Sequence, residues 1–221
     1  MKQKKLTHVY FISGMSASSK IFERIHLPAE QYKTHFLEWI MPYSRNESMT
    51  KYAKRFAEQI TEENPVIVGV SFGGMLAQEI ARIIHCDKII LISSLKTPKE
   101  FSLFFKMTKA LKLYRFLPIN TINFTERLLM KNGTKKIKRT LSIYRKYLPL
   151  RSKRYLLWAT RSFLHWKAQK NTVTMLRLHG DKDKIIPINK IGKCELIENG
   201  THVMILTKSS IIQQHLLRYL S

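Results

Sequence analysis

Pro65-Val66-Ile67-Val68-Gly69-Val70-Ser71-Phe72-Gly73-Gly74-Met75-Leu76 is the stretch on which the reading of this chain turns. A mostly β-branched run leads straight into a serine framed by glycines, and a helical pattern follows over Gly74–Ile84. A near-continuous apolar run of this length suits a strand buried on both faces of a parallel sheet. Gly69 and Gly73 stand two residues to either side of Ser71, where a tight strand-to-helix turn tolerates no side-chain bulk. Gly74 lets the helix lie close to the sheet. Such a turn strains the serine backbone and lifts its hydroxyl above the sheet. It also aims the first N–H groups of the helix at any negative charge that develops there. Ser71 is therefore the candidate nucleophile.

Outward from this turn the same grammar repeats. Val9–Ser13, Phe36–Ile40, Ile89–Ser93 and Val173–Leu178 are short apolar runs that predict further strands, separated by helical stretches at Ser18–Ile25 and Met49–Glu62 and closed by Lys208–Leu220. Strand–helix alternation predicts an α/β fold with a doubly wound, mostly parallel sheet and right-handed crossovers. One interruption stands out. Residues 96–170 hold 20 Lys+Arg against only Glu100 and Glu126, a net of +18 within a chain total of +24. That stretch is rich in Phe, Leu, Tyr and Met at helical spacing and is broken at Pro118, Asn132-Gly133 and Pro149. The expected organisation is a core of residues 1–95 and 171–221, with a helical, strongly basic cap insert at 96–170 after the fourth or fifth strand.

Composition sets the outer bounds. A chain of 221 residues and 26.0 kDa can bury one core of ordinary size, and 44% hydrophobic residues exclude a disordered protein. Two cysteines, Cys86 and Cys194, are too few for a disulfide framework and lack metal-site spacing, which favours a reducing compartment. Lys2, Lys4 and Lys5 before Leu6–Ser13 superficially resemble a secretion signal, but the apolar stretch is short and contains Thr7, His8 and Tyr10. It is read as the first strand of a cytoplasmic protein.

A serine hydroxyl needs a base and an orienting acid. His202, in Asn199-Gly200-Thr201-His202-Val203, follows the strand-like Cys194–Ile197 and so falls on a loop at the strand-end edge where ligand groups gather in open α/β sheets. The acid lies in His179-Gly180-Asp181-Lys182-Asp183, directly after another strand. Asp183 has the reach toward His202, and Asp181 is expected to cap the turn through backbone bonds. For an oxyanion, the N–H of Phe72 and that of Met15, in Ser13-Gly14-Met15-Ser16, are the expected donors.

Ser71, Asp183 and His202 in this chain order, with the Ser13-Gly14-Met15 loop, resemble the α/β-hydrolase-fold serine hydrolases over essentially the whole chain, and most of all small bacterial members without assigned substrates. The resemblance implies Ser71 as nucleophile, Asp183 as acid, His202 as base, Met15 and Phe72 at the oxyanion, and a cap where residues 96–170 lie. Three departures are visible. Ser13 stands where a His commonly precedes the oxyanion glycine, Val70 where one commonly precedes the nucleophile, and the usual N-terminal hairpin is absent, which implies a reduced sheet. A serine nucleophile argues against the dehalogenase and epoxide-hydrolase branches. The expected activity is cleavage of a carboxylic ester or thioester of an apolar acyl group, a small-molecule substrate, with no metal or organic cofactor required. The basic insert is expected either as a solvated surface or as a weak attractor of anionic substrates or a membrane surface. No compact nucleic-acid motif appears, so no specific nucleic-acid partner is expected. The alternative, a non-catalytic binding protein on a hydrolase scaffold using the basic cap for nucleic acid or anionic membranes, rests on charge alone.

Overall fold

Six strands form one sheet: β1 (Thr7–Ile12), β2 (Tyr32–Leu37), β3 (Val66–Val70), β4 (Lys88–Ile92), β5 (Thr174–Gly180) and β6 (Glu195–Ile197). The structure, a computed structural model, describes residues 6–112, 119–168 and 172–221; Lys2, Lys4, Lys5, Pro118 and the 170/171 boundary fall outside them. The spatial order is β2-β1-β3-β4-β5-β6, and every neighbouring pair is parallel. The order reverses at β1: the chain first steps outward to β2, then crosses back to β3. The connections that leave the C-terminal ends of β1 and β3 therefore run to opposite faces of the sheet, which opens a crevice above the paired strand ends.

A parallel sheet must be covered on both faces, and the strand residues alternate accordingly. Tyr10, Ile12, Ile67, Ile89 and Leu91 pack beneath α1 (Met49–Ala57) and α2 (Phe72–Ile80). Val9, Phe11, Val68, Ile90 and Ile92 pack on the opposite face with α7 (Met204–Thr207) and α8 (Ser209–Leu220).

Two local expectations shift. The second strand is Tyr32–Leu37 rather than Phe36–Ile40, because it pairs along all of β1, from Thr7↔Tyr32 to Ile12↔Leu37. As an edge strand carrying Lys33, Thr34 and His35 it is half solvated, and so lacks the apolar signature of its neighbours. The helix expected at Ser18–Ile25 contracts to a single 3₁₀ turn, Ser19–Phe22, which buries Ile21 and Phe22.

The insert follows the fourth strand and comprises α3 (Leu103–Ala110), α4 (Ile119–Asn132), α5 (Lys135–Tyr147) and α6 (Lys153–His165). These helices differ in character. On α6, Tyr155 and Trp158 are fully buried, with Trp158 against Tyr52 at a ring-centroid distance of 4.0 Å and its indole N–H donating to the Glu47 carbonyl at 3.0 Å. Neither α3 nor α5 buries a single side chain. The end of α5 is nonetheless tied to the loop after β1: the Ser18 N–H donates to the Tyr147 carbonyl (2.9 Å), and the Leu150 N–H to that of Ser16 (3.3 Å).

Candidate active site

Ser71 sits between β3 and α2 with φ 52° and ψ −118°, a strained combination for a residue with a side chain. The glycines around it permit the turn. A Cβ on Gly69 would lie 2.4 Å from the Gly74 Cα, and one on Gly73 would lie 2.3 Å from the Ser13 carbonyl oxygen. The Ser71 carbonyl is held by the Ser94 hydroxyl at 2.6 Å, and its N–H donates to the Ile92 carbonyl at 2.9 Å. Among the described residues, Ser16, Ser71, Ser93 and Asn199 all have φ between 49° and 64° and all follow strand ends on the same edge of the sheet. The other two non-glycine residues with positive φ among the described residues are Asn64, before β3, and Lys112, after α3, so most of this backbone strain gathers at the C-terminal edge of the sheet.

The three side chains expected to cooperate lie within hydrogen-bond reach of one another. His202 Nε2 stands 3.0 Å from Ser71 Oγ, and His202 Nδ1 stands 2.8 Å from Asp183 Oδ2. The Asp183 carboxylate is buried, and its other oxygen accepts the N–H groups of Ile185 and Ile186, both at 2.9 Å. These bonds fix both the position and the orientation of the carboxylate. Burial alone would push the Asp183 carboxyl up. The hydrogen bond and charge of His202, the Ile186 N–H and His179 outweigh that and hold it below its ordinary value.

The turn chemistry expected of Asp181 belongs to Asp183, which accepts the backbone bonds of the loop. Asp181 Oδ1 is buried and meets no donor among the described residues. His202 is brought to Asp183 by a close backbone approach. Gly180 and Gly200 touch so tightly that a Cβ on Gly180 would lie 2.2 Å from the Gly200 carbonyl oxygen, and the Lys182 N–H donates to that carbonyl at 2.9 Å.

Gly14 lies beside Ser71, its would-be Cβ 3.6 Å from the Ser71 Cβ. Among the described residues neither the Met15 N–H nor the Phe72 N–H enters a hydrogen bond, so both are free to donate. Trp39, which the sequence did not single out, connects these two segments. Its indole N–H donates to the Gly14 carbonyl and to Ser13 Oγ, each at 3.0 Å. Its ring also stacks on Phe72 with centroids 5.4 Å apart. The Gly14 carbonyl, which also accepts the Ala17 N–H at 3.0 Å, and the Met15 N–H belong to one peptide plane, so Trp39 and Ala17 together set the direction of that N–H. Tyr155 adds a second tie, its hydroxyl accepting the Ser16 N–H at 3.3 Å. His179, also missed, donates from Nε2 to the Ile186 carbonyl at 2.8 Å and lies 3.5 Å from Asp183 Oδ2. Burial, chiefly, holds it below the ordinary histidine range, so it braces the acid loop as a neutral ring.

A cavity of about 750 Å³ opens above these groups, with Gly14, Met15, Ser71, Phe72 and His202 at its floor. Phe105, Phe163, Leu164, Ile143 and Ile205 are among its walls, and no Lys, Arg, Asp or Glu lines it among the described residues.

No family model and no curated protein matches the chain. Solved structures do. An esterase from Exiguobacterium antarcticum aligns at 17% identity over 97% of this chain and 91% of its own, with a TM-score of 0.61. A bromoperoxidase from Bacillus anthracis aligns at 17% identity over 99% and 93%, with a TM-score of 0.60. A thermophilic esterase from Thermogutta terrifontis aligns at 15% identity over 97% and 89%, with a TM-score of 0.62. The chain has the α/β-hydrolase fold.

Proposed function

We propose that this α/β-hydrolase-fold chain is a serine hydrolase that cleaves a carboxylic ester or thioester of an apolar acyl group through an acyl-enzyme. The observation that carries the reading is the continuous relay from Ser71 Oγ to His202 at 3.0 Å and from His202 to the buried Asp183 at 2.8 Å. Asp183 accepts from Nδ1–H, which leaves Nε2 as the acceptor facing the serine hydroxyl. His202 takes that proton as Oγ attacks the acyl carbon. It then returns the proton to the departing alcohol or thiol, and water repeats the two transfers on the acyl-enzyme. The developing oxyanion would rest on the N–H groups of Met15 and Phe72, each contributing about 3 kcal/mol of transition-state stabilisation in sites of this kind. Trp39 acts as a positioning residue for the first of these.

The same fold carries esterases and a bromoperoxidase, so the reaction is argued from the site rather than from the fold. The cavity argues for the substrate class. Its uncharged, mostly aliphatic and aromatic walls favour an acyl chain over a charged group, and they favour it whatever charge the outer surface carries. The test is a panel of p-nitrophenyl esters and acyl thioesters of increasing chain length, with Ser71→Ala as control. Turnover that rises with acyl length and disappears in the variant is expected. A wild type inert toward the whole panel would remove the enzyme reading and leave the binding-protein alternative.

A further inference from the structure

Three features are carried by α3, α5 and the cavity that both helices help to line. Leu103 and Met107 on α3 and Leu111 at its C-cap recur every fourth residue and are 70%, 52% and 60% exposed. Phe104, Ile143, Tyr144, Ile185 and Val203 line the cavity and yet stay between 49% and 70% exposed, so they form its rim. Large apolar side chains exposed in number along one helix and around a cavity rim mark a surface that is covered in use. The third feature is charge. Lys106 and Lys109 on α3, and Lys135, Lys136, Lys138 and Arg139 on α5, have no carboxylate partner among the described residues. The insert's own acids are already engaged: Glu100 with Arg177, and Glu126 with Arg145 and Arg151.

We propose that this face, formed by α3, α5 and the cavity rim, docks on an anionic lipid bilayer. The passage of an apolar substrate from bilayer to cavity rests on the hydrolase reading above; the docking itself does not. An anionic bilayer satisfies both halves of the surface at once. Aliphatic side chains leave water at the acyl boundary, and unpaired lysines and arginines meet acidic headgroups, each contributing about a fivefold factor in partitioning. A nucleic acid would match the charge but would leave Leu103, Met107 and Leu111 in water. No helix of the described residues is long and apolar enough to cross a membrane, and the docking proposed is that of a surface lying on the bilayer. The uncharged cavity gives the geometry a purpose, since substrates that suit it concentrate in lipid rather than in water.

The experiment is flotation of the full chain with vesicles of phosphatidylcholine alone and of phosphatidylcholine mixed equally with phosphatidylglycerol, at low and high salt. Flotation with the anionic vesicles only, reversed by salt, is expected, and Ser71→Ala should float like the wild type. Lys135→Glu with Arg139→Glu should weaken binding by at least about 25-fold, the factor for two lost charges. Leu103→Ser, Met107→Ser and Leu111→Ser together should weaken it at least about tenfold. None of these positions lines the cavity, so both variants should keep the wild-type Tm and turnover of a short soluble ester. Absence of flotation, or equal flotation with neutral vesicles, overturns the proposal. So does retention on duplex DNA that exceeds vesicle binding and ignores the apolar variant, or a solution dimer that dissociates in that variant. Soluble esters cleaved without vesicle binding would remove the docking alone. Vesicle binding without any turnover would remove the hydrolase reading alone.

Discussion

Asp183→Asn separates the electrostatic and tautomeric work of the acid from its structural work. Asp183 Oδ1 accepts two backbone N–H groups at 2.9 Å, so an asparagine at this position must keep its carbonyl oxygen there and turn its NH₂ toward His202. His202 Nδ1 then becomes an acceptor and the ring proton moves to Nε2, 3.0 Å from Ser71 Oγ. The nitrogen that should remove the serine proton now carries one. The corresponding change in a Ser-His-Asp site lowers kcat by about 10⁴, equivalent to about 5.5 kcal/mol of barrier. The assay is kcat/KM on the best ester of the panel, together with the second-order rate of inactivation by a serine-directed phosphonate. Thermal unfolding should show a single cooperative transition, with Tm lowered only by the lost stabilisation of the ionised carboxylate, since the loop bonds survive. A folded Asp183→Asn enzyme within tenfold of wild type on both measures would refute this assignment of the acid, and a larger loss in Asp181→Asn would transfer it.

Four further outcomes follow from the same geometry. Asp181→Asn should leave activity unchanged and should not lower Tm, because Asp181 Oδ1 meets no donor among the described residues and the substitution breaks no bond there. Asp183 has a lowered folded-state pKa, so its contribution to stability is present above its ordinary value of 3.8 and lost as pH falls through the lower folded value. Denaturation of wild type and Asp183→Asn at a series of pH values should accordingly show the wild-type advantage shrinking in acid; an advantage that grows in acid would reverse the sign. Trp39→Phe removes the donor shared by the Gly14 carbonyl and Ser13 Oγ, a loss of about 1–3 kcal/mol, and should lower kcat about tenfold with little change in KM. An increase in KM alone would assign Trp39 to substrate binding. Thr160→Phe places bulk in the cavity wall, and kcat/KM for long acyl esters should fall by about fourfold per displaced methylene while acetate turnover holds.

How much of this was legible beforehand differs by element. β3, β4 and the turn at Ser71 were readable because burial on both faces forces an unbroken apolar run, and the strained turn forces glycine at 69 and 73. The Ser71, Asp183 and His202 positions were readable because each follows a strand in the order that brings all three to one edge. β2 was displaced by four residues because an edge strand wets one face and loses that signature. Trp39 and Tyr155 could not be found from local pattern. Their partners, Gly14 and Ser16, lie 25 and 139 residues away, and only the folded sheet and α6 bring them together. His179 was quoted within the acid loop, but its bond to Ile186 depends on how that loop turns back. That Asp183 takes the turn bonds expected of Asp181 in addition to facing His202 has the same origin. Both aspartates suit a turn, and the close contact of Gly180 with Gly200 decides which of them faces the ring.

The most direct measurement is peptide mapping by mass spectrometry after exposure to a fluorophosphonate, on the wild type and on His202→Ala. One adduct per chain on the peptide bearing Ser71, formed at least about 10³-fold faster in the wild type than in His202→Ala, is the expected result. A folded wild type that takes no adduct, or takes it on a different serine, would contradict the claim that Ser71 is made reactive by its neighbours.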